Sequence, residues 1–300
     1  MFSLLLDLII SFMGGLNPTI NLSAPPVQRQ LVAQAAPANP ADYQRFKQVI
    51  ERIRSQQLSS QPMGEIMQAI ATNFLGSSYK AGLLDKSQKE ELFISLNQFD
   101  CVLFVETVLA LSRNMASGQY QYQDLARQIT NLRYRDGKID GYCSRLHYFS
   151  DWIDDNQKRG NVKNITARLG GIKLNKKLNF MSGHRQVYSQ LKNNDINYEC
   201  IKTVENNLDR LELTYIPTAK IKSIYNYLQP GDIIGVVTAI PGLDTTHTGL
   251  IYSQGNQRGL IHASPAGSVT IAPDLQNYIK NVDRAIGIFV VRPLSPAVPN

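Results

Sequence analysis

Asp100-Cys-Val-Leu-Phe-Val-Glu-Thr-Val-Leu-Ala-Leu111 is the stretch on which the fold turns. After Cys101 its only strongly polar residues are Glu106 and Thr107, so a helix here is apolar on nearly every side and belongs in the middle of a domain. Asp100 suits the N-cap, which leaves Cys101 in the first turn. Upstream, Tyr43 to Gln57 and Met63 to Phe74 carry apolar residues at helical spacing: Phe46, Val49, Ile50 and Ile53, then Ile66, Ile70 and Phe74. Gly82-Leu-Leu-Asp85 reads as loop. Downstream the pattern changes to short segments rich in Ile and Val, broken by Gly, Pro or Asn: 232–239, 247–253, 259–264, 268–272 and 285–292. Their short connections suit antiparallel pairing. Helices first and strands later predict an α+β fold with a segregated sheet. The polar region 114–227 shows mixed signals and no separate core, and no repeat occurs.

Composition narrows the function classes. The chain has 300 residues, of which 43% are hydrophobic and only 18% charged, against about 25% charged in typical globular domains. That excludes a disordered chain. The formal charge of +7 suits an anionic partner, but the basic residues are scattered and no nucleic-acid recognition motif appears. Three cysteines are too few for a disulfide scaffold and lack zinc-site pairing.

Residues 2–16 are apolar apart from Asp7, two serines and two glycines, too short for the roughly 20 residues of a membrane span. Small residues at Ala33-Gln-Ala35 resemble a signal-peptide cleavage site, although no Lys or Arg precedes Arg29. A misassigned start and a loose anchor are the alternatives. Residues 1–40 therefore read as a signal or anchor segment and linker, 41–300 as one catalytic domain with an insertion-like region around 114–215, and the protein as exported to the periplasm or cell envelope. An exported chain could bridge Cys143 to Cys200; two inert thiols are the equal alternative.

The chemistry centres on Cys101. Unpaired N–H groups and positive potential at a helix start favour thiolate, although a buried structural cysteine is the commoner fate. Two histidines on candidate strands argue for reactivity. His247, Gly249 and Ile251 share a strand face, with Gly249 leaving room for a close helix, and His262 on the next strand could hold the His247 imidazole in one tautomer. Nucleophile, base and orienting group make a triad of sequence-distant residues.

Phe99-Asp-Cys101, Gln229-Pro-Gly-Asp232, His247-Thr-Gly-Leu-Ile-Tyr252 and Ile261-His-Ala263 resemble the NlpC/P60 superfamily of cell-wall cysteine hydrolases. Phe99 to Glu106, Ser144-Arg-Leu-His-Tyr-Phe149 with Asp151-Trp152, Phe180-Met-Ser-Gly-His184 and Gly242-Leu-Asp244 are similar to its DUF1460 branch, the N-acetylmuramoyl-L-alanine amidase-like family. The likeness runs from about 74 to 292. Val102-Leu103 depart from it, standing where small hydroxyl residues are expected.

The resemblance implies a papain-like fold with the nucleophile helix packed on an antiparallel sheet, elaborated by further helices and loops. It implies Cys101 as nucleophile, His247 as base and acid, and His262 as orienting residue, with Tyr79 lining the site. The activity implied is hydrolysis of the N-acetylmuramoyl-L-alanine amide bond of peptidoglycan or muropeptides through a thioester. Cleavage of the γ-D-glutamyl–diamino acid bond and a non-catalytic wall-binding module are the alternatives. A zinc amidase is the less favoured one, because no His-Glu-x-x-His accompanies the histidines.

Arg145 could grip a peptide carboxylate, Asp244 could bind an amine or sugar hydroxyl or merely shape a turn, and Asp100 and His147 complete the candidate contacts. His184 reads as structural or binding, and Glu106 needs a partner that the sequence does not name. The chemistry calls for no cofactor or metal, and the expected partner is peptidoglycan or muropeptide, with no nucleic acid, no stable membrane span and a monomeric state.

Overall fold

The computed structural model describes residues 39–296; the signal, anchor and cleavage-site expectations within 1–38 lie outside them. Helix α1 (Pro40–Ser55) begins with proline after Asn39, whose side chain accepts from the Ala41 N–H at 3.0 Å, so the missing proline donor costs nothing there. Helix α2 (Met63–Thr72) and a small parallel pair, β1 (Ser78–Tyr79) and β2 (Gln98–Phe99), lead into α3 (Cys101–Ala116). Gly82-Leu-Leu-Asp85 is not plain loop, because Leu83–Asp85 form a 3-10 turn that buries Leu83.

Helix α3 is the centre of the molecule, with every residue from Leu103 to Met115 buried. Covering a side chain of the size of Phe104 or Leu109 is worth about 1.5–3 kcal/mol, which anchors this helix more firmly than any other. Its buried Glu106 meets Arg133, with Oε2 accepting from Nε at 2.7 Å and both side chains 2% exposed. Arg133 Nη1 also donates to the Phe93 carbonyl at 2.6 Å. A pair this buried gains little net stability, yet removing one partner strands the other charge.

The region 114–227 carries more structure than its polarity suggests. It contains α4 (Tyr122–Arg133), α5 (Phe149–Lys158), β3 (Val162–Asn164), β4 (Ile172–Lys173), α6 (Phe180–Gly183), α7 (Ser189–Lys192), α8 (Asp195–Leu208) and β5 (Thr214–Pro217). Part of it has its own small core of Tyr142, Tyr148, Leu178, Met181, Leu191, Ile201 and Leu208. A disulfide joins Cys143 to Cys200 across a Cα separation of 6.2 Å and fastens α8 to the turn at Tyr142–Ser144. That settles the bridge in favour of the first alternative.

The remaining strands follow the Ile/Val segments closely: β6 (Ile233–Thr238), β7 (Thr245–Gln254), β8 (Gln257–Ala263), β9 (Val269–Ala272) and β10 (Ala285–Pro293), with α9 (Leu275–Lys280) between the last two. They form an antiparallel sheet in the order β4-β5-β10-β6-β7-β8-β9, with β3 also on β10. The fold is thus mixed α and β with an antiparallel sheet. Leu250, Ile261 and Ala263 join the core built around α3, whereas Ile251 and Leu260 join Leu275 and Ile279 of α9 on the other face.

Gln229-Pro-Gly-Asp232 opens β6 by a tight approach to α2. A Cβ at Gly231, where φ is +71°, would lie 2.5 Å from the Gly64 carbonyl oxygen, so only glycine fits. Asp232 fixes the far end of the sheet by accepting from Arg292 Nε at 2.9 Å and Nη2 at 2.8 Å.

Candidate active site

Asp100 caps α3, its Oδ1 accepting from the Leu103 N–H at 2.8 Å. That bond uses backbone, so Val102 and Leu103 satisfy it as well as the hydroxyl residues expected there. Cys101 keeps part of its surface in contact with solvent. Burial of the sulfur, and after it the Asp100 carboxylate, push the thiol up to about 12, while the N–H groups of Thr248, Cys101 and Val102 pull the other way. The helix start therefore does not prevail: the resting sulfur is a thiol, where the sequence suggested thiolate.

The β7–β8 ladder ends just short of the two histidines. The β7–β8 ladder runs from Gln254↔Gln257 to Leu250↔Ile261 and stops, while β8 stays paired to β9 through Ala263↔Val269. Two steps further along the ladder, Thr248 would face Ala263, and its N–H is among the groups that lower the Cys101 thiol. On the other side of β7 the register with β6 slips between Val236↔His247 and Val237↔Thr245, a bulge beside the histidine of the kind that re-aims side chains at sites. Thr248 anchors this segment by donating its hydroxyl to the Ile234 carbonyl at 2.7 Å.

His247 and His262 meet beyond the end of that ladder. Nε2 of His247 lies 2.8 Å from Nδ1 of His262, and the rings stand edge to face with centroids 4.9 Å apart. Burial, then the charge of His262, pushes His247 down to about 3, and burial pushes His262 down to about 4. Both rest neutral. With Nε2 engaged, Nδ1 is the nitrogen His247 has left for a thiol proton. No hydrogen bond joins the thiol to either ring among the described residues, and such contacts commonly tighten only with substrate in place.

Gly249 sits close against β8. A Cβ there would fall 2.9 Å from His262 Cβ, 2.9 Å from Leu260 Cδ1 and 3.0 Å from the Ile261 carbonyl oxygen. Its three nearest neighbours thus all lie on β8.

Tyr79 is half-buried on β1, its N–H donating to the Gly267 carbonyl at 2.8 Å. Burial, then Cys101 and Asp100, raise its phenol, which places it in electrostatic reach of the thiol. Tyr278 of α9 carried no signal in the sequence beyond an Asp274 N-cap four residues earlier. Its ring packs on His262 and His247, with centroids 4.6 and 6.0 Å apart.

Of the other candidates, Arg145 and Asp244 are turned inward. Arg145 is 6% exposed, lies 3.2 Å from Asp85 and 3.5 Å from Glu90, and stacks over Tyr142. His147 bonds the Tyr142 carbonyl through Nε2 at 2.9 Å, and burial, then Arg145, push it down to about 3. Asp244 is 1% exposed and accepts from the N–H groups of Ser150 at 2.6 Å and Thr245 at 2.7 Å. His184 is exposed and lies on Phe180. The Gly242 carbonyl accepts from the N–H groups of Asn179 and Phe180. The segments 144–152, 180–184 and 242–244, distant in sequence, therefore meet at the start of the histidine strand.

Among the described residues no group of three or more His, Cys, Asp or Glu is disposed to hold a metal, and no helix is long and apolar enough to cross a membrane.

A partly exposed thiol at the start of a buried helix and a bonded histidine pair on an antiparallel sheet mark out a mixed α/β protein. The model of the N-acetylmuramoyl-L-alanine amidase-like family matches residues 69–288, and the chain belongs to that family. It is similar to an N-acetylmuramoyl-L-alanine amidase from Bacteroides uniformis, at 33% identity over 78% of this chain and 99% of the other, with a TM-score of 0.73. A Bacteroides fragilis protein described as a candidate xylanase is 36% identical over 74% and 98% of the two chains, with a TM-score of 0.70. A Legionella pneumophila protein of the DUF1460 family, at 22% identity, TM-score 0.63 and coverage of 85% and 98%, shares the fold. No curated protein matches the chain.

Proposed function

We propose that the protein is a cysteine amidase of the papain-like NlpC/P60 type, cutting the bond between the lactyl group of N-acetylmuramic acid and L-alanine in peptidoglycan or muropeptides. The observation that carries this reading is the His247–His262 bond of 2.8 Å, set beside the strand whose Thr248 N–H bears on the Cys101 thiol.

Because thiol and imidazole both rest neutral, the thiol proton passes to His247 Nδ1 as sulfur attacks. The S–C bond forms, and negative charge gathers on the former carbonyl oxygen. Backbone N–H groups of the first turn of α3 are the natural donors to it. The C–N bond then breaks, His247 returns the proton to the departing alanine amine, and a lactyl thioester remains. Water gives a proton to His247 and attacks the thioester, releasing the carboxylic acid and restoring the thiol. Asp244, His147 and Arg145 shape the walls in this reading, and Tyr79 faces the substrate.

The carboxylates at the start of α3 give the xylanase description no support. Glycosidases use paired carboxylates about 5–9.5 Å apart, whereas Asp100 is spent on its cap and Glu106 on Arg133. Residues 1–40 direct export in this proposal, and 41–300 form the catalytic domain. The Cys143–Cys200 bridge suits the oxidising compartment that export reaches.

Mass spectrometry of a defined muropeptide, incubated with the wild type and with Cys101→Ala, tests the reading. Separation into sugar and intact peptide, lost in the variant, is expected. Cleavage within the peptide keeps the thiol chemistry but moves the enzyme to the γ-D-glutamyl endopeptidases. A folded wild type that cuts neither bond refutes the assignment in favour of a wall-binding module.

A further inference from the structure

Three main-chain carbonyls of the β6–β7 connection converge on one side chain. Strand β6 ends at Thr238 and β7 begins at Thr245. Between them the Leu243 N–H closes a turn onto the Ile240 carbonyl at 3.3 Å, with Gly242 at a φ of +78°. Lys176 reaches this turn from 62 residues before Thr238. Its Nζ donates to the carbonyls of Thr238, of Ile240 at 3.0 Å and of Leu243 at 3.0 Å. An ammonium has three protons and no lone pair, and a carbonyl oxygen only accepts, so the direction of each bond is fixed. All three donors are used.

The segment that delivers the lysine is held at both ends. The Leu174 N–H donates to the Leu213 carbonyl at 2.8 Å and the Leu178 N–H to Asp209 Oδ1 at 3.3 Å, and both leucines are buried. Lys177, next in sequence, is exposed. Carbonyl oxygens gathered about one point repel unless a cation lies among them, and rings of backbone carbonyls hold potassium in this way in channel filters. The turn leads straight into the histidine strand. Asp244 accepts from the Thr245 N–H through its side chain at 2.7 Å and from the Thr238 N–H through its carbonyl at 3.1 Å. His247 follows three residues on, at the bulge between Val236↔His247 and Val237↔Thr245.

We propose that Lys176 is a tethered cation in a carbonyl site, and a positioning residue that acts through the β6–β7 turn on His247. Emptied by substitution, the same site takes a free primary ammonium ion. The effect on catalysis rests on the reading of His247 as the base; the carbonyl site stands without it.

The test uses the full chain with Lys176→Ala and n-propylammonium chloride, which supplies the atoms the substitution removes. Propyltrimethylammonium chloride, which has no N–H, is the control for ionic strength and apolar binding. The variant is expected to melt below the wild type, and its Tm to rise with the propylammonium concentration but not with the control; the wild type should respond to both salts alike. In nitrogen-15 histidine spectra, where four histidines make assignment by His247→Gln practical, the His247 ring signals should shift in the variant and return with propylammonium. On muropeptides kcat should fall about 10- to 100-fold with KM little changed, and recover in the same titration. A folded variant that melts like the wild type, losses that propylammonium does not reverse, or unmoved His247 signals overturn the proposal. If the variant fails to fold, reductive methylation of the wild type decides: Lys177 should react while Lys176 is spared, and equal labelling of the two refutes the carbonyl site. Melting, spectra and labelling need no turnover, so failure of the amidase reading on muropeptides is seen separately.

Discussion

Gly249→Ala tests the packing that holds the two imidazoles together. The new Cβ would lie 2.9 Å from His262 Cβ and from Leu260 Cδ1, and 3.0 Å from the Ile261 carbonyl oxygen. Favourable contact begins near 3.5 Å, so relief requires about 0.5 Å. Leu260 can rotate its methyl aside, but His262 Cβ and the Ile261 carbonyl ride on the backbone. Strands β7 and β8 must then part a little further at the point where their ladder has already ended. The His247–His262 bond would stretch from 2.8 Å to about 3.3 Å, close to where such bonds fail. Overpacking of this order costs about 1–3 kcal/mol, equivalent to a fall of roughly 2–4 °C in Tm per kcal/mol. A misplacement of 1 Å can cost about a hundredfold in rate, which makes about tenfold a fair expectation for half that distance. The assay pairs calorimetry with muropeptide turnover. Gly183→Ala is the control, since nothing lies within 4 Å of its added Cβ, and it should stay within about 0.5 kcal/mol of wild type. If Gly249→Ala melts and turns over like the wild type, the account of this glycine is wrong.

Cys143 and Cys200 are 57 residues apart, and closing a loop of that length stabilises by about 4 kcal/mol on chain entropy alone. Reduction or Cys143→Ser should therefore lower Tm clearly, and non-reducing alkylation should label one thiol per chain; three labelled thiols would refute the bridge. The histidines set an acid limit. Their folded values, about 3 for His247 and about 4 for His262, lie below the ordinary value near 6.5, so the unfolded chain takes up protons first. Their contribution to stability is present above about pH 6.5 and is lost as pH falls toward those folded values. Tm should drop more steeply between pH 7 and 4.5 in the wild type than in a His247→Gln, His262→Gln double variant; parallel curves would refute neutral burial.

The strands were legible because Ile and Val mark them directly, and α3 because its polar positions are so few. Helices α5 and α8 were not. In α5 the residues Asp151, Asp155 and Asn156 are buried, and Arg135 and Arg159 reach in to pair with the two aspartates. Acidic residues facing the interior erase the hydropathic period that betrays a helix. Glu106 announced a need, but its partner stands 27 residues away on another helix, and no local pattern encodes that meeting. Cys101, His247 and His262 were singled out from residue type, helix start and strand alternation. The end of the β7–β8 ladder at Leu250↔Ile261 was not foreseeable, because where pairing stops depends on tertiary packing. Asp244 and Arg145 illustrate the opposite difficulty, since a charged residue near a site looks available until its neighbours are known.

Helix α3, buried from Leu103 to Met115, also sets a hierarchy of motion. Amides in such a segment exchange with solvent only through global unfolding, whereas the hairpin bearing both histidines ends in an exposed turn at Gly255 and Asn256. The helix that begins at Cys101 is therefore the stationary reference of the candidate site, and motion falls to the strands and loops around it. In terms of exchange, the sulfur then sits at the slow end of the molecule and the histidine hairpin nearer the fast one.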